Sequence, residues 1–245
     1  MYSFGSGVLI GTRTDIANAT PVNFGLVQEV TMDETATIKE LYGQQQHPLA
    51  IARGTIKTTG KAKVARISGL AMASLFYGVT PVPGQLMTAF GESGLIPAGS
   101  PYTVTVANAA TAADDLGVLN ALTGLPFTKV ASAPAAGQYS VAGGVYTFAA
   151  ADQGKLLLLN YTFALAGTGQ HFTVTNQLLG TTPTFQAQFY TTFQGNAVNV
   201  RFNNCTSSKL GFGTKLEDFV MPEFDFSVFA DAAGNVATWS FGDVG

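Results

Sequence analysis

Residues 223–241 read EFDFSVFADAAGNVATWSF. In an extended chain Phe224, Phe226 and Val228 fall on one side and Asp225 and Ser227 on the other. That period-two pattern belongs to a strand with one face in a core. Asp231, Ala232, Ala233, Gly234 and Asn235 then carry turn chemistry, and residues 236–241 (VATWSF) read as a returning strand. The expectation is a C-terminal β-hairpin.

Working outward, the same signals recur. Residues 22–31 (VNFGLVQEVT), 51–67 and 102–107 (YTVTVA) are rich in β-branched or aromatic residues with short-period alternation. Residues 139–149 (YSVAGGVYTFA) predict a hairpin turning at Gly143 and Gly144. Further strands are expected at 156–165, 172–176, 185–193 and 198–202. Helical signals are few. Residues 68–77 (SGLAMASLFY) start at a possible Ser cap and stop before Gly78. This segment is apolar nearly all round, so it should be buried on more than one side. Residues 112–122 predict a second, weaker helix. The chain is thus mainly β, without a tandem repeat of 20–50 residues.

The composition restricts the class. Of 245 residues 47% are hydrophobic and 11% charged, with a net charge of −3, which is the reverse of a disordered chain. One cysteine excludes a disulfide scaffold, and with two histidines it leaves a metal site poorly supplied. Cys205 is expected to be a reduced, half-buried thiol. No run of 18 apolar residues could span a membrane, and the N-terminal residues lack the pattern of a signal peptide. Average proteins carry about 25% charged residues. A chain with less than half of that, at a mean hydropathy of only +0.25, has little to solvate a free surface. Burial of much of that surface against other subunits resolves the conflict.

Two unevennesses mark the chain. Residues 101–167 are rich in Ala, Gly and Val and carry only Asp114, Asp115, Lys129, Asp152 and Lys155. This predicts a β-rich insertion at 101–165 within a main domain formed by 1–100 and 166–245, the alternative being one continuous domain with long hairpins. Charge is also segregated. Arg53, Lys57, Lys61, Lys63 and Arg66 lie in a stretch without acid, whereas Glu217, Asp218, Glu223, Asp225, Asp231 and Asp243 dominate the end. Lys57, Lys61 and Lys63 share one strand face; Arg53 joins them only if no bulge intervenes. A basic face and an acidic segment on one chain suit a head-to-tail contact between copies, with Arg53, Lys57, Lys61, Lys63, Glu217 and Asp218 as candidates. Solvated strand faces would read the same way.

Catalytic signatures are missing. The sequence holds no phosphate-binding Gly-Lys-Ser/Thr, no His-Glu-x-x-His, no Cys-x-x-Cys and no Gly-x-Ser-x-Gly. His47 sits in a Gln-rich loop and His171 at a strand start, neither with a companion motif. The adjacent carboxylates Asp33/Glu34, Asp114/Asp115 and Glu217/Asp218 would point to opposite faces of a strand. A sequence pI of about 5.3 argues against an electrostatic grip on nucleic acid. No enzyme activity and no cofactor are expected.

Several segments are similar to a known family. Residues 41–54 (LYGQQQHPLAIARG) with 55–68 (TIKTTGKAKVARIS) resemble the N-terminal half of the major tail tube proteins of tailed bacteriophages. Residues 176–180 (NQLLG) leading into 185–193 do so as well. Residues 205–216 (CTSSKLGFGTKL), 217–226 (EDFVMPEFDF) and 229–236 resemble its C-terminal half. Residues 137–141 and 144–152 are similar to a segment recurring in virion proteins. The resemblance implies a β-sandwich or small barrel with one flanking helix and an extended N-terminal hairpin or loop at roughly 31–53. It implies rings, usually hexameric, stacked into a hollow tube that carries DNA at ejection without binding it specifically. The partners would be further copies and the other tail proteins (tape measure, terminator, baseplate), the place would be the virion, and no membrane would be involved.

On this reading the loop of Tyr42, Gln44, Gln45, Gln46, His47 and Pro48 is the candidate inter-ring contact, since each glutamine can donate and accept hydrogen bonds. A lumen that passes DNA should be acidic or small and polar, with no exposed belt of Lys57, Lys61 and Lys63. Two alternatives stay open. One is another virion assembly protein, such as a tube terminator or baseplate component. The other is a carbohydrate-binding β-sandwich, whose only candidate exposed aromatics are Tyr139, Tyr146 and Phe148.

Overall fold

A computed structural model describes residues 5–66 and 68–242. It is mainly β, with several antiparallel sheets and one helix. The chain packs as two units, one formed by its two ends, with Pro81 and Phe172 at the inner limits, and a second unit, Val82–His171. The first unit opens with β1 (Val8–Arg13), β2 (Val22–Asn23), β3 (Val27–Tyr42), β4 (Pro48–Val64) and a helix, α1 (Gly69–Ala71), which continues as a π-helical stretch Met72–Tyr77. The second unit holds β5 (Val82–Leu95), β6 (Thr103–Thr105), β7 (Ala112–Asn120), β8 (Thr128–Lys129), β9 (Gln138–Ala142), β10 (Val145–Phe148) and β11 (Leu156–His171). The chain then returns to the first unit with β12 (Thr184–Phe193), β13 (Asn196–Gly211), β14 (Glu223–Phe229) and β15 (Ala237–Phe241).

The strands of the first unit run in the order β2-β1-β12-β13-β14-β4-β3, and β15 also pairs with β13. Only residues 24–26 separate β2 from β3, yet β2 pairs with β1 and β3 with β4. One bent segment thus touches both ends of the strand order, and the sheet curls towards a barrel. Its core holds Leu9, Phe24, Val27, Ala62, Leu75, Phe185, Val200, Phe202, Phe224 and Phe226. Each such large side chain contributes roughly 1.5–3 kcal/mol on burial. The rings meet edge to face, Phe24 with Phe224 at 4.9 Å and Phe185 with Phe226 at 6.0 Å.

Phe226 lies opposite Gly60 in the β14–β4 register. A Cβ at Gly60 would collide with the Phe226 ring, so only glycine leaves room for it. The helix starts where the sequence predicts: Ser68 Oγ accepts from the Ala71 N–H at 3.2 Å. It ends at Gly78, in the left-handed region at φ +68°. Ala71, Ala73 and Leu75 are buried. The Ser207 hydroxyl donates to the Leu75 carbonyl at 2.8 Å, which ties the helix to β13.

In the second unit a four-stranded sheet (β6-β10-β9-β8) and a three-stranded one (β5-β11-β7) share a core of Ile96, Val118, Tyr139, Tyr146, Phe148, Leu157, Leu159 and Tyr161. The β9–β10 hairpin turns at Gly143 and Gly144, both with positive φ, as the sequence predicts.

Five expectations are corrected. The C-terminal hairpin does not form. β14 and β15 both lie antiparallel to β13, on residues 204–211 and 198–202 respectively. The turn at Asp231 is an excursion after which the chain continues in the same direction. Asp231 holds it closed, its carboxylate accepting from the N–H groups of Ala233 and Asn235 and from the Asn203 amide. Residues 112–122 are not helical: Ala112–Asn120 is strand β7, recruited by pairing with β11. Residues 172–176 form no strand. Cys205 is fully buried, and burial pushes its thiol up to about 12. The second unit also reaches beyond the boundaries read at 101 and 165, because β5 pairs with β11 from Leu95 back to Val82.

Replacing Gly60 by Ala should cost about 1–3 kcal/mol through overpacking against Phe226. Gly213→Ala, with open space around its Cβ position, should change the urea midpoint little. Equilibrium unfolding of the two variants checks this.

Candidate functional site

Strand β4 has two differently supported halves. From Thr58 to Lys63 it is flanked by β14 and β3, and from Pro48 to Lys57 by β3 alone. The β3–β4 hairpin therefore leaves the sheet as a two-stranded arm, residues 35–42 against 48–57, roughly 30 Å of extended chain. Cross-strand partners share a face. Val30 with Ala62, Met32 with Gly60 and Glu34 with Thr58 point towards the core side. The same face continues outwards through Ala36 with Ile56, Ile38 with Arg53, and Glu40 with Ile51. Along the arm nothing among the described residues covers it: Ile38, Tyr42, Leu49, Ile51 and Ile56 are exposed. Isolated two-stranded ribbons are marginal in water, and this one shows apolar side chains to solvent.

The tip is the predicted loop. Tyr42 ends β3, Pro48 begins β4, and Gln44, Gln45, Gln46 and His47 between them are exposed. The Tyr42 hydroxyl donates to Glu40, and that bond raises the phenol's pKa.

The charge candidates separate by face. The register shifts between Ala36 and Ile38, with the extra residue on β4. This bulge places Arg53 on the apolar face, 3.5 Å from Glu34, away from Lys57, Lys61 and Lys63. Lys63 pairs with Glu29 at 2.7 Å, and Lys61 with Glu223 at 3.2 Å, which Lys209 also reaches at 3.2 Å. Lys209 and Lys61 hold the Glu223 carboxyl below the usual carboxylate range, and Lys63 does the same for Glu29. Much of the basic face is thus balanced within the chain by pairs that sequence spacing does not show. Among the described residues Lys57 has no ion-pair partner. Glu217 and Asp218 lie on the exposed loop 212–222, with Asp218 3.8 Å from Lys215.

That loop and the loop 172–183 carry groups missed in the sequence. Leu216 is 99% exposed and Phe219 91%. Leu178 and Leu179 are also open to solvent, and Phe212 and Met221 are exposed. The available signal was an apolar pair in a polar, Gly- and Pro-containing stretch, TNQLLGTTP.

No protein-family model matches the chain. No curated protein matches it either.

The other candidates are dispersed. His47 sits on the arm tip, and His171 ends β11 with Nδ1 2.9 Å from the Gly84 carbonyl. Tyr139, Tyr146 and Phe148 are buried in the second core, so they present no aromatic face to a sugar. Among the described residues no three His, Cys, Asp or Glu side chains gather as a metal site, and no helix is long and apolar enough to cross a membrane.

The second unit holds a tight polar cluster around Asp115. Asp115, with its side chain 6% exposed, accepts from the Tyr139 hydroxyl at 2.7 Å, Lys129 Nζ at 2.9 Å, the Tyr146 hydroxyl at 3.0 Å and the Gly117 N–H at 3.1 Å. Burial pushes its pKa up, but the bonds from Tyr139, Lys129, Gly117 and Tyr146 outweigh it and leave the carboxyl below the ordinary range. Burial and Asp115 together raise both phenols. The arrangement ties β7 to the opposing sheet.

A carboxylate depressed in the folded state stabilises above its unfolded pKa of about 3.9, and that contribution is lost as pH falls through the folded value. Thermal unfolding against pH should therefore show an acid limb below about pH 4 that flattens in Asp115→Asn. Asp115→Ala, which strands two buried hydroxyls, should cost on the order of 2–3 kcal/mol.

Proposed function

We propose that this chain is a structural subunit of a bacteriophage tail tube, assembling with copies of itself into stacked rings. The observation that carries the reading is the β3–β4 arm, whose apolar face continues the core face of the sheet without a partner. Burial of that face by another copy would remove its cost to solvent. The low charge content supports the same conclusion, since contact surfaces need few charges. The resemblance of residues 41–68 and 205–236 to tail tube proteins supplies the identity of the assembly, and six copies per ring is the number it implies.

The edges of the curled sheet fit ring formation. β3 forms one edge of the sheet, and the two-residue β2 covers only Ile10 and Gly11 of β1. Lateral pairing between copies would close edges that otherwise invite aggregation. The lumen would carry acidic and small polar groups, and DNA would pass without a specific grip. The pairing of Lys61 with Glu223 and of Lys63 with Glu29 supports this, because neither lysine needs phosphate as a counter-charge.

Negative-stain microscopy of the purified protein over a concentration series tests the reading. Stacked rings or hollow tubes are expected, and particles that stay monomeric at every concentration would overturn it. Replacing Tyr42 by Ser together with Gln44, Gln45 and Gln46 by Ala should abolish tube growth. The unfolding free energy should shift by no more than about 0.5 kcal/mol, as for other exposed positions.

A further inference from the structure

We infer that the loops 172–183 and 212–222 form the surface on which the β3–β4 arm of a second copy docks, so that copies add head to tail. This rests on the tube reading and names the receiving half of its axial contact.

The registers put arm and loops at opposite ends of one sheet. β4 runs from the tip at Pro48 to its root at Val64, whose N–H donates to the Pro222 carbonyl at 3.1 Å. The loop 212–222 therefore lies at the root end. The loop 172–183 leads into Thr184, which pairs with Thr206 near the same end of β13. The arm leaves in the other direction for roughly 30 Å, so its tip points away from its own loops. Its partner surface has to come from another molecule.

The two surfaces match in chemistry. The arm offers Ile38, Leu49, Ile51 and Ile56, and the loops offer Leu178, Leu179, Leu216 and Phe219, all exposed. A hollow of about 320 Å³, lined in part by Phe212, Lys215, Phe219 and Met221, lies within the loop 212–222. Charge is complementary. Residues 34–57 carry Lys39, Arg53 and Lys57 against Glu34 and Glu40, a net of +1 (3 − 2), while residues 212–222 carry Glu217 and Asp218 against Lys215, a net of −1 (1 − 2). The segment 172–183 is uncharged. Such a contact joins two different patches, so it does not close on itself and leaves a free arm at one end and free loops at the other.

Two blocked variants test this. Leu49→Asp with Ile51→Asp disables the arm, and Leu216→Asp with Phe219→Asp disables the loops. Each alone should stop short of tubes. An equimolar mixture should sediment as a species doubled in mass that grows no further, because one intact arm surface meets one intact loop surface. Tubes of normal length from the loop variant, or no doubled species from two folded variants, would overturn the inference while tubes from the unaltered chain keep the tube reading standing. Absence of tubes from the unaltered chain would overturn the tube reading itself. A chain carrying Leu49→Cys and Phe219→Cys guards against misfolding of the Asp variants. Oxidation of its tubes should give a ladder of covalent multimers reversed by reductant, with little background from the buried Cys205. Tubes that form without the ladder would overturn the docking surface.

Discussion

The Phe226 ring over Gly60 fixes how β14 lies against β4, and most of the first unit follows from it. With that pair in register, Ala62, Gly60 and Thr58 face the core, while Lys63, Lys61 and Thr59 face out. Phe224 is then free to meet Phe24 and Phe185. The outer lysines come within reach of Glu29 and Glu223. A slip by one residue would exchange the two faces and bury the lysines instead.

The same register makes the arm. Beyond Thr58 strand β4 keeps its pattern but loses β14, so a face built for burial extends past the core that could bury it. Globular chains seldom leave such surface open, and a partner copy is the simplest explanation for it. The bulge between Ala36 and Ile38 changes which groups that face presents. It moves Arg53 from the lysine face to the apolar face, where it pairs with Glu34 of the same chain. A heterologous contact between this arm and the distant loops would carry polarity along the assembly, as a tube with two different ends requires.

The second unit is held differently. Asp115 gathers two tyrosines and a lysine from strands of the opposing sheet, and Asp152 is bound by Lys155 and the Gly137 N–H. With six charged side chains in this unit, four of them lie in these two clusters, where they stitch loops and strands together. The carboxylates of these clusters are buried, while Lys129 and Lys155 stay partly exposed.

Local chemistry made much of the fold legible from sequence. Alternation at Phe224, Phe226 and Val228 identified a half-buried strand, Ser68 and Gly78 bracketed the helix, and Gly143-Gly144 marked a turn, because strand period, capping and positive φ act within a few residues. Residues 42–48 read correctly as a loop for the same reason. Pairing was not legible. The Asp231 turn looked like a reversal, yet β15 continues along β13, and residues 112–120 carried helical signals that pairing with β11 overrode. The bulge that moves Arg53, the ion pairs that occupy Lys61 and Lys63, and the exposure of Leu216 and Phe219 likewise depend on which distant strands lie side by side. The sequence alone determined the mainly β class, the helix between Ser68 and Gly78, most of the strand and turn positions and which faces are apolar. Only the tertiary structure decided which of those faces is buried, because burial is a property of long-range pairing and not of spacing along the chain.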